Sequence, residues 1–207
     1  PKTVSQVVDF IRSDEPASRI QYDTNINLDF VPTRTILLPV NKENALRSGI
    51  VKPEDAHLMV DTIVMNIKES SIRKSTMMLL DLLANFNWER PLFVTSPSVL
   101  TSLGLQDYLQ FDGYAYRIVP IKTPVTDSQN VGRIDTEVLY NNLMNVYRYG
   151  NVADPRVYVD SFINYNFDAT RVRIAFARLA KELVRQGDPQ RAVEVLDYGL
   201  EQMPVSR

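Results

Sequence analysis

The sequence predicts an α/β body, a mixed sheet with packed helices, over residues 1–133, followed by an all-α part over residues 134–207. Three observations carry that division. Ser75 to Phe86 places Met78, Leu79, Leu82, Leu83 and Phe86 at helical spacing, with Met77, Leu80 and Ala84 widening the stripe, so a helix buried on most of its circumference is expected. Asn85, Asn87 and Pro91 then break the helix, and Leu92-Phe93-Val94 follows as a short apolar run suited to an inner strand. Near the C-terminus, Val172, Phe176, Leu179, Ala180 and Leu183 define one helix. Gly187-Asp188-Pro189 makes a tight connection to a second, carried by Ala192, Leu196, Gly199, Leu200 and Met203.

The remaining elements follow from local signals. Val4, Val7, Val8 and Ile11 predict a short amphipathic helix with Thr3 or Ser5 as N-cap and a stop at Ser13-Asp14-Glu15-Pro16. Arg19–Tyr22 and Thr35–Val40 read as strands separated by a polar stretch, the second lying at an edge or ending at Pro39, which cannot donate to a ladder. Asn41–Ser48 forms one or two helical turns closed by Gly49, and Pro53 starts another turn. Met59–Ile67 alternates and is rich in β-branched residues, which favours a strand. Ser96-Pro97-Ser98 opens a helical region to Leu105, Asp107–Gln110 adds a turn, and Tyr114–Ile121 reads as a strand. Lys122–Arg133 is polar, carries Pro124 and Gly132, and marks the expected domain boundary. Asp135–Tyr147 is helical, and Asn151–Asn166 stays open between a short helix and an ordered loop.

Composition narrows the chemistry. A chain of 207 residues buries a core without staples, and zero Cys removes disulfides and thiolate metal sites. Twenty-three Lys and Arg against 25 Asp and Glu leave a net charge of −2, which provides no field to draw in nucleic acid. No apolar stretch approaches the roughly 20 residues that span a bilayer. The expectation is a soluble piece of a longer protein, opening on Pro1, whose missing part would carry any membrane span.

The motifs are weighed against plainer roles. His57 is the only His and sits in a turn, so a multi-histidine metal site or a Ser-His-Asp triad would have to be built around it; a surface position is the default. The seven Gly residues never form a phosphate-cradling loop, which argues against nucleotide binding. Asp127-Ser128-Gln129-Asn130 lacks the acid spacing of a calcium loop. No catalytic residue, metal or cofactor is assigned. Two candidate binding groups remain. Trp88-Glu89-Arg90 would offer a partly exposed ring to stack on a sugar, flanked by charges for its hydroxyls; the plainer role is a Trp closing the core beside a local ion pair. Thr95, Ser96 and Ser98 follow a strand end, where ligands gather in open α/β sheets; the plainer role is a cap for the next helix. The basic residues Arg171, Arg173, Arg178, Lys181 and Arg185 on the first closing helix read as a solvated face complementing Glu194, Asp197 and Glu201 on the second.

Phe176-x-x-Leu179-Ala180-x-x-Leu183, then Gly187, Ala192-x-x-x-Leu196 and Pro204, resembles a single tetratricopeptide repeat, with Phe and Leu where that motif often has Trp and Tyr. A lone repeat makes no long concave groove and is expected to cap the domain. Three phrases taken together, Asn87-Trp88-Glu89-Arg90-Pro91-Leu92-Phe93, then Leu105-Gln106-Asp107-Tyr108 with Tyr114 to Ile121, then Asn141-Asn142-Leu143-Met144 to Asp154-Pro155, resemble a bacterial family. It is the C-terminal soluble part of the polytopic membrane proteins called domain of unknown function 2723, whose membrane half is similar to protein O-mannosyltransferases.

The resemblance implies a noncatalytic accessory and acceptor-binding domain on the extracytoplasmic, periplasmic side. It would lie beside a membrane-embedded half that uses a polyprenyl-phosphate sugar and holds the catalytic acid. The implied partners are that half and an acceptor protein or glycan, with no nucleic acid and no nucleotide. The alternatives are a stand-alone protein-protein interaction module and a carbohydrate-active enzyme using unrecognised acidic residues.

Overall fold

In the computed structural model the Thr3 hydroxyl accepts the Gln6 N–H at 3.3 Å while Gln6 Oε1 accepts the Thr3 N–H at 2.9 Å. This reciprocal box starts α1 (Val4–Arg12) directly after β1 (Lys2–Thr3). The structure describes residues 1–13, 15–125, 130–158, 160–162 and 169–204. Next come β2 (Arg19–Asp23) and β3 (Ile26–Asp29), an antiparallel hairpin, and β4 (Thr35–Pro39). The strand β3 falls inside the stretch expected to be loop: Ile26 and Leu28 do alternate with Asn27 and Asp29, but Asn and Asp are poor strand formers and make the stretch read as polar loop.

Asn41 Oδ1 accepts the Asn44 N–H at 3.0 Å and caps α2 (Lys42–Arg47), and β5 (Thr62–Asn66) follows a 3₁₀ turn over Pro53–Leu58. The first sheet has the order β1–β4–β5, with β1 parallel and β5 antiparallel to β4. β4 is therefore central, and Pro39 is accommodated by ending it. Ile36 and Leu38 of β4 and Ile63 and Met65 of β5 are buried, while Val64, half a period away, is exposed.

The next helix is α3 (Lys74–Ala84), which packs with α1. It buries Leu80 and Leu83 but leaves Met78 69% and Leu82 56% exposed. The expectation of burial around most of its circumference is therefore corrected: apolar content widened the stripe, but only one side meets the core. The run at Leu92–Val94 is corrected too. β6 (Phe93–Val94) has two residues, with Phe93 exposed, and sits at the end of the order β6–β8–β7 rather than inside it. In that sheet β7 (Leu109–Phe111) and β8 (Tyr116–Ile118) flank a turn at Gly113, so the long strand expected over Tyr114–Ile121 shrinks to three residues.

The chain divides into two units: Pro1–Leu109 with Arg117–Val131, and Gln110–Tyr116 with Gly132–Arg207. Residues 126–129, within the expected boundary and including Asp127-Ser128-Gln129, lie outside the described residues, as do residues 163–166 of the segment left open. In the second unit Asp135 caps α4 (Thr136–Asn141), which continues as a wide π turn to Val146. Then α5 (Ala169–Arg185) and α6 (Pro189–Gln202) pack as a hairpin. Val172, Phe176, Leu179, Ala180 and Leu183 are buried as their spacing predicts. On α6 the inner face is Ala192, Val195, Gly199 and Met203, while Leu196 and Leu200 are 41% and 53% exposed, a shift of register from the expected pattern. The body is α/β and the C-terminal part all-α.

Tyr149 closes the second core, 8% exposed, its hydroxyl donating to Leu143 O at 2.5 Å, and burial pushes its phenol well above the ordinary value. A raised folded value means that the stabilisation is complete below the unfolded pKa, about 10, and is lost as pH rises past it. Denaturant titrations between pH 8 and pH 11 should therefore show the second unit weakening above pH 10, with Tyr149→Phe flattening that slope. A slope unchanged by the substitution would contradict the assignment.

Candidate functional site

Trp88 is 1% exposed, and its indole N–H donates to Pro39 O at 2.8 Å across the end of β4. The ring lies against Phe86, centroids 4.6 Å apart. Asn87 and Trp88 both occupy left-handed backbone, φ 41° and 61°, a conformation that bulky side chains avoid. α2 holds them there: the Asn44 amide donates to Asn87 O at 2.9 Å and the Ser48 hydroxyl to Trp88 O at 3.0 Å. Arg47 in turn donates to Asn44 Oδ1 at 2.5 Å.

The ring therefore has no open face on which a sugar could stack, and Trp88 is a core plug. Glu89 and Arg90 are exposed, but Glu89 accepts the Asn87 amide at 3.0 Å, and the two form no ion pair in the structure. The expected association of ring and charges is not assembled.

The second candidate group is partly assembled. Ser96 and Ser98 hydroxyls lie 2.8 Å apart, and neither caps the 3₁₀ turn over Pro97–Leu103, whose N-terminus has no side-chain cap. Ser98 instead faces a groove of about 550 Å³ shared with Arg73, Ser75, Thr76, Thr101 and Ser102, with Leu79 and Val99 as its apolar part and Glu69 at its margin. Thr95 and Ser96 do not line it. The groove sits at the start of α3, whose N-cap Arg73 makes no side-chain cap and lines the groove together with the hydroxyl-bearing residues.

Such a lining donates and accepts hydrogen bonds at many angles, which suits a polyhydroxylated or hydroxyl-bearing ligand. Sequence reasoning missed Arg73, Ser75, Thr76, Thr101 and Ser102. The spacing Ser98, Thr101, Ser102 is a helical i, i+3, i+4 row of hydroxyls and was available as a signal. That it faces Ser75 and Thr76 is a long-range fact with no local signature.

His57 is exposed, its Nδ1 at 2.9 Å from Glu54 O. Among the described residues no cluster of three or more His, Cys, Asp or Glu is disposed to hold a metal ion, and no helix is long and apolar enough to cross a membrane.

A family model, TMEM260-associated domain 2, matches residues 1–138. The chain belongs to that family. The TMEM260-associated domain takes in every element from β1 to the first turn of α4, including α3, the Trp88 plug and the hydroxyl-lined groove, whereas α5 and α6 lie beyond the matched residues. No curated protein and no solved structure matches the chain.

Proposed function

We propose that this chain is a noncatalytic, extracytoplasmic accessory domain of a membrane mannosyltransferase-related protein of the domain-of-unknown-function-2723 kind. In this reading it lies on the periplasmic side beside the membrane-embedded half and holds the acceptor protein or glycan. The observation that carries the reading is membership of the TMEM260-associated family over two-thirds of the chain. The groove between α3 and the Ser98 turn supports it, because its hydroxyls and Arg73 can hydrogen-bond sugar or Ser/Thr hydroxyls.

The test uses the parent protein in liposomes with a polyprenyl-phosphate mannose donor and a hydroxyl-bearing acceptor. Arg73→Glu combined with Ser98→Val should raise the acceptor KM about tenfold with kcat unchanged, and the isolated 207-residue chain should transfer no sugar. Transfer by the isolated chain, or an unchanged KM, overturns the reading.

A further inference from the structure

Every residue of both strands of the β2–β3 hairpin is exposed, and among the described residues its sheet has no third strand. Ile20 pairs with Leu28, so Ile20, Ile26 and Leu28 share one face, 53%, 47% and 47% exposed; the register shifts between Gln21 and Asp23, which pairs Asp23 with Ile26, and Tyr22, inside that irregularity, is 76% exposed. The other face is polar, with Gln21 opposite Asn27 and Arg19 paired to Asp29 at 3.6 Å. A two-stranded hairpin is marginal in water without something on its apolar face. Residues 19–29 contain neither Lys nor Pro, and the edge is interrupted only by the irregularity between Gln21 and Asp23. At the foot of the hairpin the same face runs into a groove of about 470 Å³ walled by Ile11, Leu28, Phe30, Ile67, Ile72 and Met77, and Leu28 belongs to both.

We infer that this hairpin and groove dock an extended polypeptide segment, which adds to a free edge as a third strand and lays alternate apolar side chains against Ile20, Ile26 and Leu28, beside the exposed Tyr22. Three features select that occupant. The four side chains expose on the order of 400 Å² of apolar surface, a functional-patch size but about half of the ~800 Å² per partner that a stable dimer buries. The charges here, Asp23, Asp29 and Glu69 against Arg19 and Arg34, leave no basic surplus to draw an anionic bilayer. A strand supplies through its main chain the hydrogen bonds that so small an apolar area needs, and it meets an edge that offers them. This surface is separate from the Ser98 groove and goes beyond the accessory reading.

The experiment titrates a fluorescein-labelled octapeptide of alternating Val and Thr into the ¹⁵N-labelled 207-residue chain, following anisotropy and amide shifts. Expected are saturable binding, shifts confined to residues 19–34 and 67–77, and new exchange protection along one outer edge of the hairpin. Tyr22→Ser with Ile20→Ser, both exposed and outside the core, should weaken binding at least tenfold, as should N-methylation of every second peptide amide. The inference is overturned by absence of binding, by shifts elsewhere, or by indifference to N-methylation. It is equally overturned if the same substitutions instead abolish a concentration-dependent dimer or flotation with phosphatidylcholine vesicles. Because only the chain and a peptide are present, failure here leaves the accessory reading to stand or fall on its own transfer assay.

Discussion

Replacing Trp88 by Ala should lower the stability of the first unit by about 3–5 kcal/mol, a fall in Tm of roughly 10–20 °C. The magnitude follows from a ring 1% exposed and packed at a tilt against Phe86, whose removal leaves a cavity beside β4, and from the Pro39 carbonyl that loses its indole donor. Trp88→Phe separates the two contributions: it refills most of the volume and should cost only the unsatisfied carbonyl, about 1–3 kcal/mol.

Trp88 is the only Trp, so its own fluorescence is the probe. Emission in the folded chain should lie at short wavelength, resist quenching by acrylamide and shift to the red in one step with urea. The left-handed backbone adds a control. Asn87→Gly relieves a φ of 41° but removes the amide that donates to Glu89, so it should change stability far less than Trp88→Ala. A wild-type Tm for Trp88→Ala together with loss of carbohydrate binding would contradict the core role and restore the sugar platform.

The places where sequence and structure agree share a physical character: the signal is local. Thr3 and Gln6 are three residues apart and cap α1 by themselves, and Ile63 and Met65 show their period of two within β5. The α5 face from Val172 to Leu183 is likewise written in one helix. The disagreements arise where burial depends on what arrives from elsewhere. Met78 and Leu82 are apolar like Leu80 and Leu83, and which pair is covered depends on elements such as α1 that arrive from elsewhere in the chain.

Leu196 belongs to the expected α6 pattern, yet Val195 beside it takes the buried position, because Gly199 fixes which side of α6 can approach α5. In the candidate site the hydroxyl row on Ser98, Thr101 and Ser102 was legible and its facing turn at Arg73–Thr76 was not. Trp88 suggested a binding residue because an aromatic flanked by charges looks the same in sequence whether its ring faces water or the core. Asn44 and Ser48, more than 35 residues away, make the difference.

Gly199→Ala should destabilise the second unit by about 1–3 kcal/mol, although Ala is the better helix former by about 1 kcal/mol. A Cβ at this position would stand 2.8 Å from Phe176 Cγ, 3.0 Å from Cδ2 and 3.1 Å from Cδ1. The ring cannot swing aside, because Tyr149 and Tyr198 lie against it with centroids 5.8 Å and 6.2 Å away. The clash therefore has to separate α5 from α6 or distort the Phe176 rotamer, and either route opens the packing around Leu179 and Val195.

Phe176→Leu alone should cost about 1–3 kcal/mol by shrinking the core, yet the double variant should be less unstable than the sum, with a coupling of about 0.5–3 kcal/mol. Urea unfolding followed by hydrogen exchange of the α5 amides reads all three variants. Gly187 provides the contrast: nothing lies within 4 Å of its added Cβ, so Gly187→Ala should suffer only from its φ of 87° and show no coupling to Phe176. A more stable Gly199→Ala variant, or additive effects with Phe176→Leu, would mean that Gly199 is not what sets the approach of the two helices.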